Sequence, residues 1–155
     1  MKVRRIALLM MLVLGVTALS GMAKVKPEDV FSTEQGVALN GYDVVGYHTQ
    51  YLAIRGTAEH AATHDGVTYH FSSGENLQTF KKDPEKYLPE YGGWCAFAMG
   101  AKNAKFAPDP KTFKMVNGKL YVFYNGEHGN TIVPWNADES KVTKEADKNW
   151  TAMTR

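Results

Sequence analysis

Cys95 is the single cysteine of the chain, and Met99 follows it by four residues. If the segment is helical, that spacing places thiol and thioether on one face. A thiolate with a thioether is a soft donor pair that favours copper(I), and one histidine would complete a three-coordinate site. The competing reading is packing, because the pair sits beside Trp94 and Phe97 and both residue types are frequent core fillers. A third reading, a thiol-dependent enzyme, needs a base and a group to orient it, and no cysteine-hydrolase signature accompanies Cys95. Thiol redox chemistry within the chain would need a second cysteine to resolve a mixed disulfide. An unpaired cysteine in an oxidising compartment is expected to be buried, metal-bound or paired between chains.

The remaining polar candidates are weaker. His60 and His64 are four apart, but a hairpin is expected to turn just after them, which removes the argument for a shared helical face. His48 and His128 lie in loop-like surroundings and read as surface residues. Tyr42, Tyr69, Tyr91, Trp94, Tyr121 and Tyr124 would either fill the core or line a pocket or partner surface. Asp43, in a glycine-rich stretch, either caps a turn or faces a ligand, and capping is the simpler role.

These residues must be positioned by the elements around them. Residues 36–50, with Gly36, Gly41 and Gly46 among Val and Tyr, read as short extended pieces broken by turns. Residues 60–63 and 67–71 flank Asp65-Gly66, a hairpin signal, and Val67, Tyr69 and Phe71 alternate with polar neighbours. Ser72-x-x-Glu75 has the form of a capping box and opens a helix over 74–82 that stops before Asp83-Pro84. Residues 94–99 read as a short buried helical segment closed by Gly100. Residues 113–116 and 119–124 enclose Asn117-Gly118, the favoured type I′ pair. A final helix over 139–151 puts Val142, Ala146 and Trp150 on one stripe. The expected core is Tyr69, Phe71, Leu77, Phe80, Trp94, Phe97, Leu120, Val122 and Trp150. The fold class is α+β, a small antiparallel sheet built from two β-hairpins with short helices and a C-terminal helix. No internal repeat is visible in the sequence.

The 155 residues are 44% hydrophobic and 22% charged, which excludes disorder, collagen and coiled coil. One cysteine excludes an intramolecular disulfide and a multi-cysteine zinc or iron–sulfur site. Lys2, Arg4 and Arg5 precede a 14-residue apolar run, 6–19, that ends at Gly21-Met22-Ala23, so residues 1–23 read as a secretory signal peptide rather than a membrane span. The expectation is a periplasmic or secreted domain over 24–155, with no membrane attachment after cleavage. The leader holds 3 of the 18 basic residues and none of the 16 acidic ones, leaving 15 against 16. A near-neutral domain with interspersed charges has no footprint for nucleic acid.

Several motifs in order resemble a YHS domain protein. They are Gly41-Tyr42-Asp43, the run Gly66-Val67-Thr68-Tyr69-His70-Phe71-Ser72-Ser73, then Phe80 with Asp83-Pro84-Glu85-Lys86-Tyr87, and Tyr91-Gly92-Gly93-Trp94-Cys95-Ala96. The similarity is to small secreted bacterial members and extends to Trp150. It implies a hairpin-plus-helix core, and the family's association with metal, copper included, rests mainly on its cysteine-rich members. There the strand ends in Cys-Ser-x-x-Cys, and those cysteines fall on Ser72 and Asn76 here, which cannot supply thiolates. The resemblance also points to His70, in the Tyr-His motif, as the histidine to join Cys95 and Met99. The expectation is an exported binding module for a soft metal such as copper. The alternative is a metal-free module for a protein partner or small ligand.

Overall fold

A computed structural model describes residues 27–155, so the expected leader lies outside the described residues. After one helical turn, α1 (Pro27–Val30), the short hairpin of β1 (Thr33–Glu34) and β2 (Val37–Ala38) leads into α2 (Val44–Thr49). The sequence predicts extended pieces where α2 lies. The segment is helical because the Asp43 carboxylate accepts from the N–H groups of Val45 at 2.9 Å and Gly46 at 3.3 Å, satisfying donors of the first turn. The capping reading of Asp43 is therefore the observed one. The hairpin of β3 (Thr57–His64) and β4 (Val67–Phe71) turns at Asp65-Gly66, both with positive φ, 49° and 78°. Helix α3 (Gly74–Lys82) has the predicted bounds, but its cap is Ser73, which accepts from the Asn76 N–H at 3.1 Å. Ser72, the expected cap, is engaged elsewhere.

Helix α4 (Ala96–Lys102) runs past Gly100 and ends at Asn103, which takes the left-handed conformation at φ 49°. Gly100 is a crossing point rather than a stop: a Cβ there would lie 2.3 Å from the Val142 carbonyl oxygen. Strands β5 (Asp109–Val116) and β6 (Lys119–Phe123) enclose Asn117-Gly118 as predicted. A small hairpin, β7 (Asn125–Gly126) and β8 (Gly129–Asn130), precedes α5 (Ile132–Ala137) and α6 (Glu139–Met153). Strands pair in the order β1-β2-β4-β3, with β2 parallel to β4, while β5–β6 forms its own sheet. The class is α+β, with the two large hairpins in separate sheets. No helix among the described residues is long and apolar enough to cross a membrane.

The structure contains a repeat that the sequence does not announce. Strands β3 and β5 have equal length, as do β4 and β6, and each pair is offset by 52 residues (109 minus 57). The register shift between Thr57 and Ala61 recurs between Asp109 and Phe113. Leu39, Asn40 and Gly41 are successively left-handed, and so are Tyr91, Gly92 and Gly93. Tyr51 and Asn103 share a positive φ at the same offset. Asp43 N–H donates to the Ile54 carbonyl at 2.8 Å, and Cys95 N–H donates to the Phe106 carbonyl at 2.9 Å. Residues 39–74 and 91–126 are thus two copies of one unit. Their identities are Gly41/Gly93, Gly66/Gly118, Tyr69/Tyr121, Phe71/Phe123 and Gly74/Gly126.

Each copy has its own core. The first gathers Leu39, Val45, Tyr47, Tyr69, Phe71 and Phe80, and the second Tyr91, Met99, Tyr121, Phe123, Trp135 and Ala146. Strand β6 joins them, because its period of two sends Leu120 and Val122 to the first core and Tyr121 and Phe123 to the second. The Tyr47 hydroxyl adds a polar tie, donating to the Pro110 carbonyl at 2.7 Å. Of the nine expected core residues, Tyr69, Phe71, Phe80, Leu120 and Val122 are fully buried, and Leu77, Trp94, Phe97 and Trp150 pack at the core margins.

Candidate functional site

The duplicated unit presents one position twice, at the residue that enters its first helix. In the first copy this is Asp43, wholly buried. One carboxylate oxygen caps α2. The other accepts from the Ser72 N–H at 2.8 Å, the Ser72 hydroxyl at 2.7 Å and the Asn76 amide at 2.7 Å. Five donors hold the buried charge, which is the condition for keeping a carboxylate away from water. Ser72 and Asn76, the two positions where cysteine-rich relatives carry thiols, here direct their polar groups at Asp43. The cradle between strand end and helix start is filled by the protein's own carboxylate.

In the second copy the same position is Cys95, fully buried and making no side-chain cap to α4. Its Sγ lies 3.3 Å from the Thr131 hydroxyl, and that hydroxyl lies 2.9 Å from the Tyr124 carbonyl. Because the Thr131 hydrogen is directed at the carbonyl, the thiol is the donor to Thr131. The difference between the copies arises on the C-terminal side of their hairpins. The first copy passes from Phe71 almost directly into α3, whereas the second inserts β7–β8 before α5. Tyr124 then stands at the position of Ser72, and His128, offset by 52 from Asn76, lies exposed on the turn of the inserted hairpin. A cavity of about 600 Å³ is left over Cys95. Its walls are Phe97, Phe106, Val133 and Pro134, and Lys102 and His128 also line it. Lys102 and His128 are solvent-exposed while Cys95 is not, so the thiol lies at the floor and the two basic side chains at the mouth. The His128 ring stacks on Tyr124 with centroids 6.4 Å apart and planes at 22°.

The three metal candidates of the sequence occupy different surroundings. Cys95 lies in the cavity wall but is itself fully buried. Met99, one turn further along α4, is fully buried in the second core among Tyr121, Phe123 and Trp135 and is not part of the cavity wall. His70 lies on β4 and lines another depression, of about 270 Å³, with Arg55, Asn40 and Gly41. Arg55 there donates to the Asn40 carbonyl at 3.0 Å and covers the Tyr42 ring at 5.0 Å. Of the other histidines, His64 lies 2.8 Å from the Glu85 carboxylate and 3.8 Å from that of Asp65, on the surface. His48, read as a surface loop residue, is instead half-buried on α2, edge-on to Tyr87, and its Nε2 has no hydrogen-bond partner among the described residues. Burial, and then the Lys86 charge, hold its imidazole below the ordinary range, against a hydrogen bond to the Tyr87 backbone.

The buried phenols are far from acid–base duty. Burial pushes Tyr47, Tyr69 and Tyr91 well above the ordinary tyrosine range, Tyr91 further through its hydrogen bond to Asp147 at 2.9 Å, and raises Tyr121 to about 12. Tyr42, Tyr69, Tyr91 and Tyr121 are core residues, and of the six aromatics read as pocket candidates Tyr124 lines the cavity. Lys102, Phe106, Thr131 and Val133 carry no sequence motif, and the offset of 52 is the one signal that brings the region between them into view.

Residues 45–91 match the YHS domain family model, a span that runs from α2 to the first residue of the second copy. Neither the curated proteins nor the solved structures contain a match to the chain. The hairpin, the α3 helix and the Tyr-His strand end all lie inside the matched span, and over residues 45–91 the chain is similar to a YHS domain.

Proposed function

We propose that this chain is a binding module that takes a small ligand in the cavity over Cys95. One observation carries the reading: at equivalent positions of two copies of a unit, the first is plugged by Asp43 and the second is left as an apolar cavity of about 600 Å³. That size is within the ordinary range of small-molecule sites, and apolar walls with a few polar groups are their usual lining. The test is titration with N-phenyl-1-naphthylamine, a neutral fluorescent probe. One saturable site is expected, lost in Ala98→Phe, which places a ring in the cavity, while a control substitution at the exposed Ala58 leaves it intact. Absence of saturable binding to the wild type, or unchanged binding in a folded Ala98→Phe variant, would contradict the reading.

A soft metal is the second reading. It is favoured by a soft thiol donor, Cys95, in the cavity wall, and by the copper association of the family the chain resembles. Export to the periplasm or beyond, expected from residues 1–23, belongs to both readings. Mass spectrometry of the exported protein should find an N-terminus at or near Lys24.

A further inference from the structure

The chemistry of the cavity selects among small ligands, and this step rests on the binding reading above. At the floor the polar groups satisfy one another, since the Cys95 thiol donates to Thr131 and Thr131 donates to the Tyr124 carbonyl. A polar ligand group buried there would have to break that chain, with the desolvation cost of an unmatched group. The deep end therefore accepts hydrocarbon, against the buried Ala98 and half-buried Phe97. At the mouth the one fixed charge is positive, that of Lys102, beside the hydrogen-bonding ring of His128. Lys102 and His128 line the cavity, and no Asp or Glu does so among the described residues. Phe106 and Val133 at the same rim are 50% and 66% exposed, so apolar surface continues to the opening.

We infer that the cavity takes a small amphipathic anion, a hydrocarbon body with one carboxylate, which enters tail first and leaves its charge beside Lys102 and His128. A neutral ligand of the same body would gain the wall contacts and forgo the charge contact. At a solvent-exposed ion pair that contact is worth about a fivefold difference in affinity.

Octanoate and octanol, each displacing N-phenyl-1-naphthylamine, isolate the charge. Octanoate is expected to displace the probe about fivefold more effectively than octanol from the wild type. Lys102→Met, an exposed substitution at the end of α4, is expected to remove most of that preference while leaving octanol unchanged. Equal displacement by acid and alcohol, failure of both to displace a bound probe, or a preference unaltered in Lys102→Met would overturn the anion inference and leave the binding reading standing. Failure of the probe itself to bind overturns the binding reading, and the inference falls with it.

Discussion

If the two copies share a cradle that one fills and the other leaves open, equivalent substitutions must have unequal costs. Asp43→Asn preserves size and exchanges one acceptor oxygen for an amide. With its remaining oxygen toward α2, the amide turns two donors of its own on the Ser72 N–H and the Asn76 amide, now 2.8 Å and 2.7 Å from nitrogen instead of oxygen. Each buried donor left unmatched costs about 1–3 kcal/mol, so the pair, with the weakened cap, gives a loss of about 3–5 kcal/mol. Cys95→Ser at the equivalent position exchanges thiol for hydroxyl and keeps the contact to Thr131, for about 1 kcal/mol or less. With a urea slope of about 2 kcal/mol/M, the midpoint falls by about 2 M in the first case and about 0.5 M or less in the second. Equilibrium unfolding followed by tryptophan fluorescence reads both. Should Asp43→Asn not fold, Ser72→Ala, which loses one hydroxyl contact to Asp43, gives a smaller fall of about 0.5 M on the same scale. Equal shifts at positions 43 and 95, or no shift in either first-copy variant, would refute the filled-against-open argument.

Other consequences are checked by similar means. Gly100→Ala drives a Cβ into the Val142 backbone, so a loss of about 1–3 kcal/mol is expected from the α4–α6 crossing, and a midpoint equal to wild type would show that the helices slide apart freely. The lowered His48 basicity means that the unfolded chain takes up the proton first. Its contribution is therefore full above about pH 6.5 and is lost as pH falls through that value toward the folded one, and His48→Asn should flatten the urea midpoint between about pH 7.5 and 5.5. Equal pH slopes in variant and wild type would remove the assignment. For the soft-metal reading, competition for copper(I) against a chelator should show Cys95→Ser losing far more affinity than Met99→Leu, since the thiol lines the cavity and Met99 lies in the second core, and equal competition by wild type and Cys95→Ser would leave the thiol a packed side chain.

The elements set by local chemistry are legible in the sequence. Asp65-Gly66 and Asn117-Gly118 each demand left-handed backbone, and both hairpins turn there. Phe71 to Lys82 changes period from two to helical at the place the structure does, and Asp83-Pro84 ends the helix. Helix α2 is hidden because its capping donors are satisfied by a residue whose other oxygen binds 29 residues away, at Ser72. Gly100 misleads in the same way, as a glycine selected by a neighbouring helix reads in sequence as a stop. His48 looks like a loop residue for want of the α2 assignment.

The duplication is invisible in the sequence for a physical reason that also bears on the site. What the two copies share is mostly backbone conformation, and left-handed turns admit Leu39-Asn40-Gly41 in one and Tyr91-Gly92-Gly93 in the other. Side-chain identity survives chiefly where backbone demands it, at glycines, and where β4 and β6 bury Tyr and Phe. Positions 43 and 95 have diverged as far as residue chemistry allows, from an anion with five donors to a thiol with one acceptor. A fold that keeps its turns, bulges and hydrogen bonds while exchanging the residue at its centre has separated scaffold from cradle. The first copy draws stability from the donors gathered at Asp43, while Leu120 and Val122 of the second copy complete its core. Because all five donors to Asp43 come from Val45, Gly46, Ser72 and Asn76, the β7–β8 insertion that lines the cavity beside Cys95 takes none of them away.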